Sequence, residues 1–180
     1  MPESDEAVIG EIQADSHQAF AVLVKRYQQR AFAVALRLLG RRPEAEDADQ
    51  QAFLSLYENR AAYKPRFRLN TWFYRILVNT CIDELRRTRP MSLPDDLELP
   101  TGEAPDRIFD RRERERLLHT ALAAVPVEAR IVLTLYYGDG RSYREIGAIR
   151  GISVNTVKTH LRRGRAALRK QLQDRGVGRS

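Results

Sequence analysis

Two short stretches of the chain combine positive charge with side chains that recognise nucleic acids. The first, Tyr63 to Arg68, places aromatic rings among cations. Aromatic rings stack on unstacked bases, and neighbouring cations bind the phosphate backbone. The second, Ser153 to Arg169, puts polar and basic side chains on the outer face of a predicted helix. Both stretches predict binding of nucleic acid.

The second stretch is part of a predicted helix-turn-helix that begins at Ser142. Ser142 and Glu145 have the spacing of a capping box. Gly151 tolerates the left-handed backbone of a tight turn, and Ser153 can cap the helix that follows. The second helix of such a motif enters the major groove of DNA. A solvated amphipathic helix is the competing interpretation, but the capping, the turn and the charge together favour DNA binding. The candidate contacts are Ser153, Asn155, Thr156, Lys158, Thr159, Arg162 and Arg163.

Basic charge is confined to two blocks of the sequence. Of the formal net charge of +7, residues 61–90 contribute +5 and residues 141–180 contribute +9. Residues 1–60 carry −3 and residues 91–140 carry −4. Two basic blocks separated by an acidic one predict two distinct nucleic-acid contacts.

Helical periodicity dominates the chain, and no strand-like alternation is found. The predicted helices run from the cap Ser16 to Gly40, from Pro43 through Tyr57, and from the cap Asn70 to Arg87; helical spacing resumes after Asp106. Between Pro90 and Pro105 the sequence is rich in proline and acids and has no basic residue, which is typical of a linker. We therefore predict an all-α fold with two small helical domains, residues 1–89 and 107–180, joined by an acidic, flexible linker at residues 90–106.

Enzymatic chemistry is not indicated by the sequence. The three histidines, His17, His119 and His160, are far apart, and with the single Cys81 they lack metal-ligand spacing. No glycine-rich phosphate loop is present. We expect no cofactor, no metal and no small-molecule substrate. The acidic start of the chain does not fit a secretory signal, and no apolar run is long enough to span a membrane, so we expect a cytoplasmic protein without membrane insertion.

Residues 142–168 (SYREIGAIRGISVNTVKTHLRRGRAAL) resemble the promoter-reading domain of extracytoplasmic-function (ECF) sigma factors. Residues 20–40 (FAVLVKRYQQRAFAVALRLLG), 45–57 (AEDADQQAFLSLY) and 69–87 (LNTWFYRILVNTCIDELRR) are similar to successive segments of the family's N-terminal domain, in the family's order. The resemblance implies a bacterial factor that directs core RNA polymerase to promoter DNA.

The resemblance also implies roles for individual residues. Asp47, Gln50 and Phe53 fall in the segment that docks on core polymerase. The minus-ten element would be held by Tyr63, Lys64, Arg66, Phe67, Arg68, Arg75 and Asn79, and the helix-turn-helix would read the minus-thirty-five element. Family members are often held inactive by an anti-sigma factor, which we expect here too.

Four positions depart from the family's pattern: Gln51, Leu69, Gly147 and Gly164. The alternative is a helix-turn-helix regulator that binds DNA without polymerase core. A phosphorylated receiver or a recombinase would need a mixed α/β first half, which the helical pattern of residues 1–90 does not support.

Overall fold

The computed structural model describes residues 4–87 and 105–175, and these two segments contain helices and no strand, as the sequence predicts. The first segment contains α1 (Asp5–Gln13), α2 (His17–Leu39), α3 (Arg42–Glu58), a 3₁₀ turn (Arg60–Ala62) and α4 (Leu69–Arg87). The second contains α5 (Pro105–Ala123), α6 (Val127–Leu133), a π-helical turn (Thr134–Gly138), α7 (Tyr143–Arg150) and α8 (Val154–Asp174). The predicted linker lies outside the described residues except for its last two positions, which begin α5.

The two ends of α2 are set by the residues that the sequence indicated. The Ser16 hydroxyl accepts a hydrogen bond from the backbone N–H of Ala19 at 3.2 Å. Gly40 ends the helix in the left-handed region, with φ of 74°. A residue with a side chain is disfavoured in that conformation, whereas glycine is not. The long amphipathic helix therefore begins and ends as predicted.

An N-terminal helix, α1, was not predicted. It buries Val8, Ile9 and Ile12 against the rest of the first domain. Its Asp5 carboxylate accepts hydrogen bonds from the Arg26 guanidinium and the Tyr27 hydroxyl, both on α2. Its short length leaves only three buried apolar positions, which is too weak a periodic signal to detect beside a run of acids.

The first domain is built around aromatic contacts between α2, α3 and α4. The rings of Phe53 and Phe73 stack with their centroids 4.6 Å apart, and Tyr27 lies 5.6 Å from Phe73. Cys81 is fully buried, and burial raises its thiol pKa to about 12. Because the thiolate is the reactive form, Cys81 acts as a small core residue.

The second domain contains the predicted helix-turn-helix. The Ser142 hydroxyl accepts from the backbone N–H of Glu145 at 3.2 Å, and the Glu145 carboxylate accepts from the backbone N–H of Ser142 at 2.8 Å. The Ser142 backbone N–H and the Ser142 hydroxyl both donate to the Glu145 carboxylate, and these two bonds hold the Glu145 pKa below its usual value. Gly151 adopts φ of 67° in the turn. A Cβ on Gly147 would lie 2.8 Å from the carbonyl oxygen of Ile152, which accounts for glycine at this position.

Polar contacts connect the two domains. They join α2 and α4 of the first domain to α6, the π turn and α7 of the second. The buried Arg130 of α6 donates to the carbonyl oxygens of Leu38 at 3.0 Å and Ala123 at 2.7 Å. Arg30 of α2 forms an ion pair with the Asp139 carboxylate at 3.0 Å. The relative placement of the domains is thus set by long-range contacts that local sequence patterns do not encode.

Candidate nucleic-acid interface

At the start of α8, some polar side chains form hydrogen bonds within the helix and others face the solvent. The Ser153 hydroxyl accepts from the backbone N–H of Thr156 at 3.1 Å and shares a 2.8 Å hydrogen bond with the Thr156 hydroxyl. The Thr159 hydroxyl donates to the Asn155 carbonyl oxygen at 3.0 Å. Three of the predicted contact residues, Ser153, Thr156 and Thr159, therefore have hydroxyls already engaged in the helix itself.

Four of the predicted contact side chains remain available: Asn155, Lys158, Arg162 and Arg163 are exposed. None forms a hydrogen bond or ion pair with the part of the chain that the structure describes. Asn155, Lys158 and Arg162 follow one another by three and four positions, so they lie along one stripe of the helix. An amide and a guanidinium in such a row match the hydrogen-bonding edges of adenine and guanine.

The basic-aromatic loop presents a ring and several cations to solvent. The side chains of Lys64, Arg66 and Arg68 are exposed, and Phe67 is 39% exposed. The Phe67 ring has the guanidinium of Arg75 at 5.1 Å and that of Arg66 at 5.8 Å. An exposed ring flanked by guanidinium groups is a suitable platform for a base and its phosphates.

Tyr63 lies beneath the loop instead of on its surface. It is 6% exposed, its hydroxyl donates to the Phe67 carbonyl oxygen at 2.8 Å, and its ring is 5.2 Å from that of Trp72. Burial raises the Tyr63 pKa. Leu69, one of the departures noted in the sequence, is the first residue of α4 and is fully buried. In this arrangement Tyr63 shapes the loop from inside, and Phe67 is the ring that a base can reach.

The N-terminal helix supports the same loop. The Gln13 side-chain amide donates to the Arg60 carbonyl oxygen at 2.9 Å and to the Tyr63 carbonyl oxygen at 3.3 Å. The Arg60 guanidinium also binds the Asp15 carboxylate at 2.5 Å, and a hydrogen bond from the Tyr57 hydroxyl, together with this ion pair, lowers the Asp15 pKa. These contacts were not predicted, because they join positions more than forty residues apart.

Arg75 and Asn79 are placed one turn apart on α4, where the second domain contacts them. An Arg75 guanidinium nitrogen donates to the Ala148 carbonyl oxygen of α7 at 2.6 Å. The Arg150 guanidinium donates to the Asn79 amide oxygen at 3.3 Å. Asn70, predicted as a helix cap, lies instead in the first turn of α4 and accepts a hydrogen bond from Arg141.

The candidate polymerase-binding residues differ in their exposure to solvent. Asp47 and Gln50 are exposed on α3, whereas Phe53 is 5% exposed and belongs to the core. Asp47 borders a cavity of about 370 Å³ together with Asp83 and Glu84 of α4. Arg87 of α4 also lines this cavity, so three carboxylates and one guanidinium give it a net negative charge, in keeping with a basic docking partner.

A second cavity, which the sequence did not reveal, lies on the second domain. Its volume is about 700 Å³. Leucines of α5, α6 and α8 line it: Leu118, Leu122, Leu133, Leu168 and Leu172. Tyr137 is 60% exposed at its edge, and Arg165 and Arg169 stand beside it. Helical spacing of apolar residues does not show where a groove between helices is left open.

Among residues 4–87 and 105–175, no cluster of three or more histidine, cysteine or acidic side chains could hold a metal ion. No helix in the described part of the chain is long and apolar enough to cross a membrane.

Two family models match the chain, one to each domain. The model "Sigma-70 region 2" covers residues 23–90, and "Sigma-70, region 4" covers residues 115–168. The fold is similar to that of a solved structure of CnrH in complex with the cytosolic domain of CnrY, with a TM-score of 0.75 at 23% identity, covering 96% of this chain and 99% of that one. It is also similar to the sigma factor RpoE in complex with the anti-sigma factor NepR from Bartonella quintana, with a TM-score of 0.65 at 20% identity, covering 86% of this chain and 96% of that one.

Two curated relatives match the chain over nearly their whole length. The chain is 34% identical over 178 residues to the ECF RNA polymerase sigma factor SigW of Bacillus subtilis, covering 92% of this chain and 95% of that protein. It is 31% identical over 183 residues to the RNA polymerase sigma-H factor of Pseudomonas aeruginosa, covering 95% of each. With both domains matched in order and the full-length identity above 30%, the chain belongs to the ECF sigma factors of RNA polymerase.

Proposed function

We propose that this sigma factor acts in the bacterial cytoplasm, where residues 1–89 bind core RNA polymerase and the minus-ten element and residues 107–180 read the minus-thirty-five element. Sigma factors are transcription initiation factors and not enzymes, in agreement with the lack of catalytic motifs in the sequence. The chain supplies promoter recognition, and the polymerase supplies the chemistry.

The minus-thirty-five element is assigned to the outward stripe of α8. The side chains of Asn155, Lys158 and Arg162 are exposed and form no hydrogen bond or ion pair within the described part of the chain. Each can therefore approach a base edge or a phosphate without first breaking an internal bond. A good bidentate contact of this kind contributes about 1–3 kcal/mol of discrimination.

The minus-ten element is assigned to the loop around Phe67. Opening a promoter exposes bases that are no longer stacked in the duplex. The exposed Phe67 ring offers a stacking surface, and Lys64, Arg66 and Arg68 surround it with positive charge. This surface favours single-stranded DNA, because a ring cannot stack on a base that stays paired within the duplex.

Two surfaces are assigned to protein partners. The acidic side of α3 around Asp47 and Gln50 would bind core polymerase. The leucine-lined groove beside Arg165 and Arg169 fits an amphipathic helix with an apolar face and acidic flanks. Since RpoE of Bartonella quintana was solved with the anti-sigma factor NepR, we assign an anti-sigma factor as a partner of this chain also.

The observation that carries the proposal is that each domain has its own basic, exposed surface. The α8 surface fits duplex DNA, and the loop around Phe67 fits single strands. The test is reconstitution of the purified chain with core polymerase that lacks any sigma factor. Runoff transcription from genomic fragments should begin at discrete sites. The variant Asn155→Ala/Arg162→Ala should still bind core but lose selective initiation, whereas Lys170→Ala, an exposed change later in α8, should not.

A chain that fails to bind core polymerase from its own or a closely related bacterium would refute the proposal. Binding to duplex promoter DNA in the absence of core, with no effect on transcription by core, would favour the regulator instead.

A further inference from the structure

The N-terminal helix α1 is attached to the basic-aromatic loop, residues 63–68, that the proposed function assigns to the minus-ten element. The family model that matches the first domain begins at residue 23, so α1 lies outside that match and receives no role from it. Val8, Ile9 and Ile12 bury one face of the helix in the core of the first domain. The two ends of α1 then contact the chain on either side of the loop.

The C-terminal end of α1 holds the chain where it enters the loop. The Gln13 side-chain amide donates to the carbonyl oxygens of Arg60 and Tyr63, at 2.9 and 3.3 Å. Asp15 accepts from the Arg60 guanidinium at 2.5 Å and from the Tyr57 hydroxyl at 3.1 Å. Both the backbone and the side chains at the start of the loop are therefore bound to the end of α1.

The corner between α1 and α2 has a fixed backbone. Asp15 has a φ of 72°, in the left-handed region that aspartate tolerates better than most residues. Its N–H donates to the Ile12 carbonyl oxygen, and the Ser16 N–H donates to the Glu11 carbonyl oxygen, both at 3.0 Å. This pair of bonds closes the end of a helix, and Ser16 then caps α2. Gln13 and Asp15 are thus held against the start of the loop by a backbone with little freedom.

The N-terminal end of α1 lies beside the chain where it leaves the loop. The Asp5 carboxylate accepts from the Tyr27 hydroxyl, and the Asn70 side chain forms a hydrogen bond with the same hydroxyl. Asp5 and Glu6 border a cavity of about 380 Å³ whose other lining residues are Arg68, Asn70, Thr71 and Glu145. Arg68 ends the loop and Asn70 lies in the first turn of α4. One helix of nine residues therefore reaches both ends of the loop.

Tyr63 transmits this constraint to the exposed ring. Its carbonyl oxygen is bound by Gln13, and its hydroxyl donates to the Phe67 carbonyl oxygen at 2.8 Å. A single residue thus joins α1 to the backbone of Phe67, whose ring is the exposed stacking surface. A loop that is already ordered in the free chain loses less conformational entropy when a base stacks on it.

We propose that α1 is a positioning element for the minus-ten contact: it holds both ends of the basic-aromatic loop, so that the Phe67 ring is oriented before melted DNA arrives. The inference rests on the proposed function, because it concerns the same loop. In this role Gln13 acts through Tyr63 and touches no DNA. Loss of the Gln13 bonds should weaken the capture of melted DNA and leave both polymerase binding and reading by α8 unchanged.

Amide hydrogen exchange of the free, full-length chain tests whether α1 orders the loop. The backbone N–H groups of Tyr63 and Phe67 each donate to a carbonyl oxygen three residues earlier, so their exchange reports on this segment. Gln13→Glu keeps the shape of the side chain but cannot donate to a carbonyl oxygen, and exchange at both positions should become about threefold to tenfold faster. Gln13→Lys restores a donor and should return exchange toward the rate of the unmodified chain.

The matched control is Gln28→Glu, the same substitution at an exposed glutamine of α2. The Gln28 side chain forms no hydrogen bond within residues 4–87 and 105–175. Exchange at Tyr63 and Phe67 should be unchanged in this variant. A change in charge alone is thereby separated from the loss of the bonds to the loop.

The second measurement is binding of the holoenzyme to a promoter fragment with an unpaired minus-ten segment, taken from a mapped start site. Gln13→Glu should weaken this binding about threefold to tenfold, whereas Gln13→Lys and Gln28→Glu should not. All variants should bind core polymerase equally, and all should bind equally a duplex fragment that carries only the minus-thirty-five element.

Unchanged exchange at Tyr63 and Phe67 in Gln13→Glu would overturn the proposal. Faster exchange without weaker binding of the unpaired fragment would overturn it as well, and so would an equal loss of binding for both DNA fragments. Failure of the unmodified chain to bind core polymerase would instead refute the proposed function, and the exchange measurement would still decide whether α1 orders the loop.

Discussion

Replacing Gly147 by alanine provides a sharp test of the packing inside the helix-turn-helix. Alanine is favoured over glycine in a helix interior by about 1 kcal/mol, so helix propensity alone predicts a more stable chain. The structure predicts the opposite, since the new Cβ would lie 2.8 Å from the Ile152 carbonyl oxygen. A normal contact needs about 3.4 Å, so the turn must shift by roughly half an ångström.

The cost of that shift exceeds the gain in propensity. The obstacle is a backbone atom that also belongs to the turn, where the Ile152 N–H donates to the Gly147 carbonyl oxygen at 3.0 Å. Overpacking of this kind costs about 1–3 kcal/mol. We expect a net loss of about 1 kcal/mol, which lowers the melting temperature of a chain of this size by about 2–4 °C.

The matched control is Gly10→Ala in α1, where an added Cβ has nothing within 4 Å. Here only the propensity acts, and the melting temperature should rise by about 2–4 °C. Thermal unfolding followed by circular dichroism would compare the two variants under identical conditions. If Gly147→Ala stabilised the chain as much as Gly10→Ala, the steric explanation for glycine at position 147 would be wrong.

Three further predictions concern a buried carboxylate, the α8 surface and the brace beneath the loop. Burial raises the Asp49 pKa from 3.8 to about 6, so the stability that the protonated carboxyl group provides is lost as the pH rises through 6. The variant Asp49→Asn should therefore be more stable than the unmodified chain at pH 7.5, by on the order of 1 kcal/mol, and no more stable at pH 4. Urea unfolding at the two pH values measures both differences. Asn155→Ala, assayed as holoenzyme on a set of single-base promoter variants, should lose about 1–3 kcal/mol of discrimination at one base pair; equal loss at all positions would argue against a base contact. Gln13→Ala removes two hydrogen bonds to the loop. Binding of a pre-melted minus-ten fragment by the holoenzyme should therefore weaken about threefold to tenfold, while binding of the minus-thirty-five element is unchanged. An equal loss of binding for both DNA elements would indicate general destabilisation.

Local signals in the sequence predicted most of the helices and the α8 surface. The Ser16 cap, the αL residue Gly40 and the capping box of Ser142 and Glu145 each act within a few residues, so the sequence contains both partners of each interaction. The exposed stripe of α8 follows from helical spacing in the same way. Where both partners of a contact are near one another in the sequence, pattern and structure agree.

The parts that could not be predicted depend on distant partners. α1 is stabilised by its contacts with α2 and α4 and has little amphipathic signal of its own. Tyr63 looks from the sequence like a base-stacking residue, but its ring is buried against Trp72. The engagement of Arg75 by Ala148 joins positions 73 residues apart. Only the fold shows which partners these side chains have.

Three arginines cross between the domains to main-chain oxygens: Arg30 to Asp139, Arg75 to Ala148 and Arg130 to Leu38, at 2.8, 2.6 and 3.0 Å. Every amino acid carries a backbone carbonyl, so the acceptor side of each contact persists whatever side chain stands there. The donor side has no such freedom, since a lysine lacks the forked guanidinium. Mutational tolerance across this boundary is therefore unequal: a substitution at position 148 leaves the backbone acceptor in place, whereas replacing any one of the three arginines removes the donor.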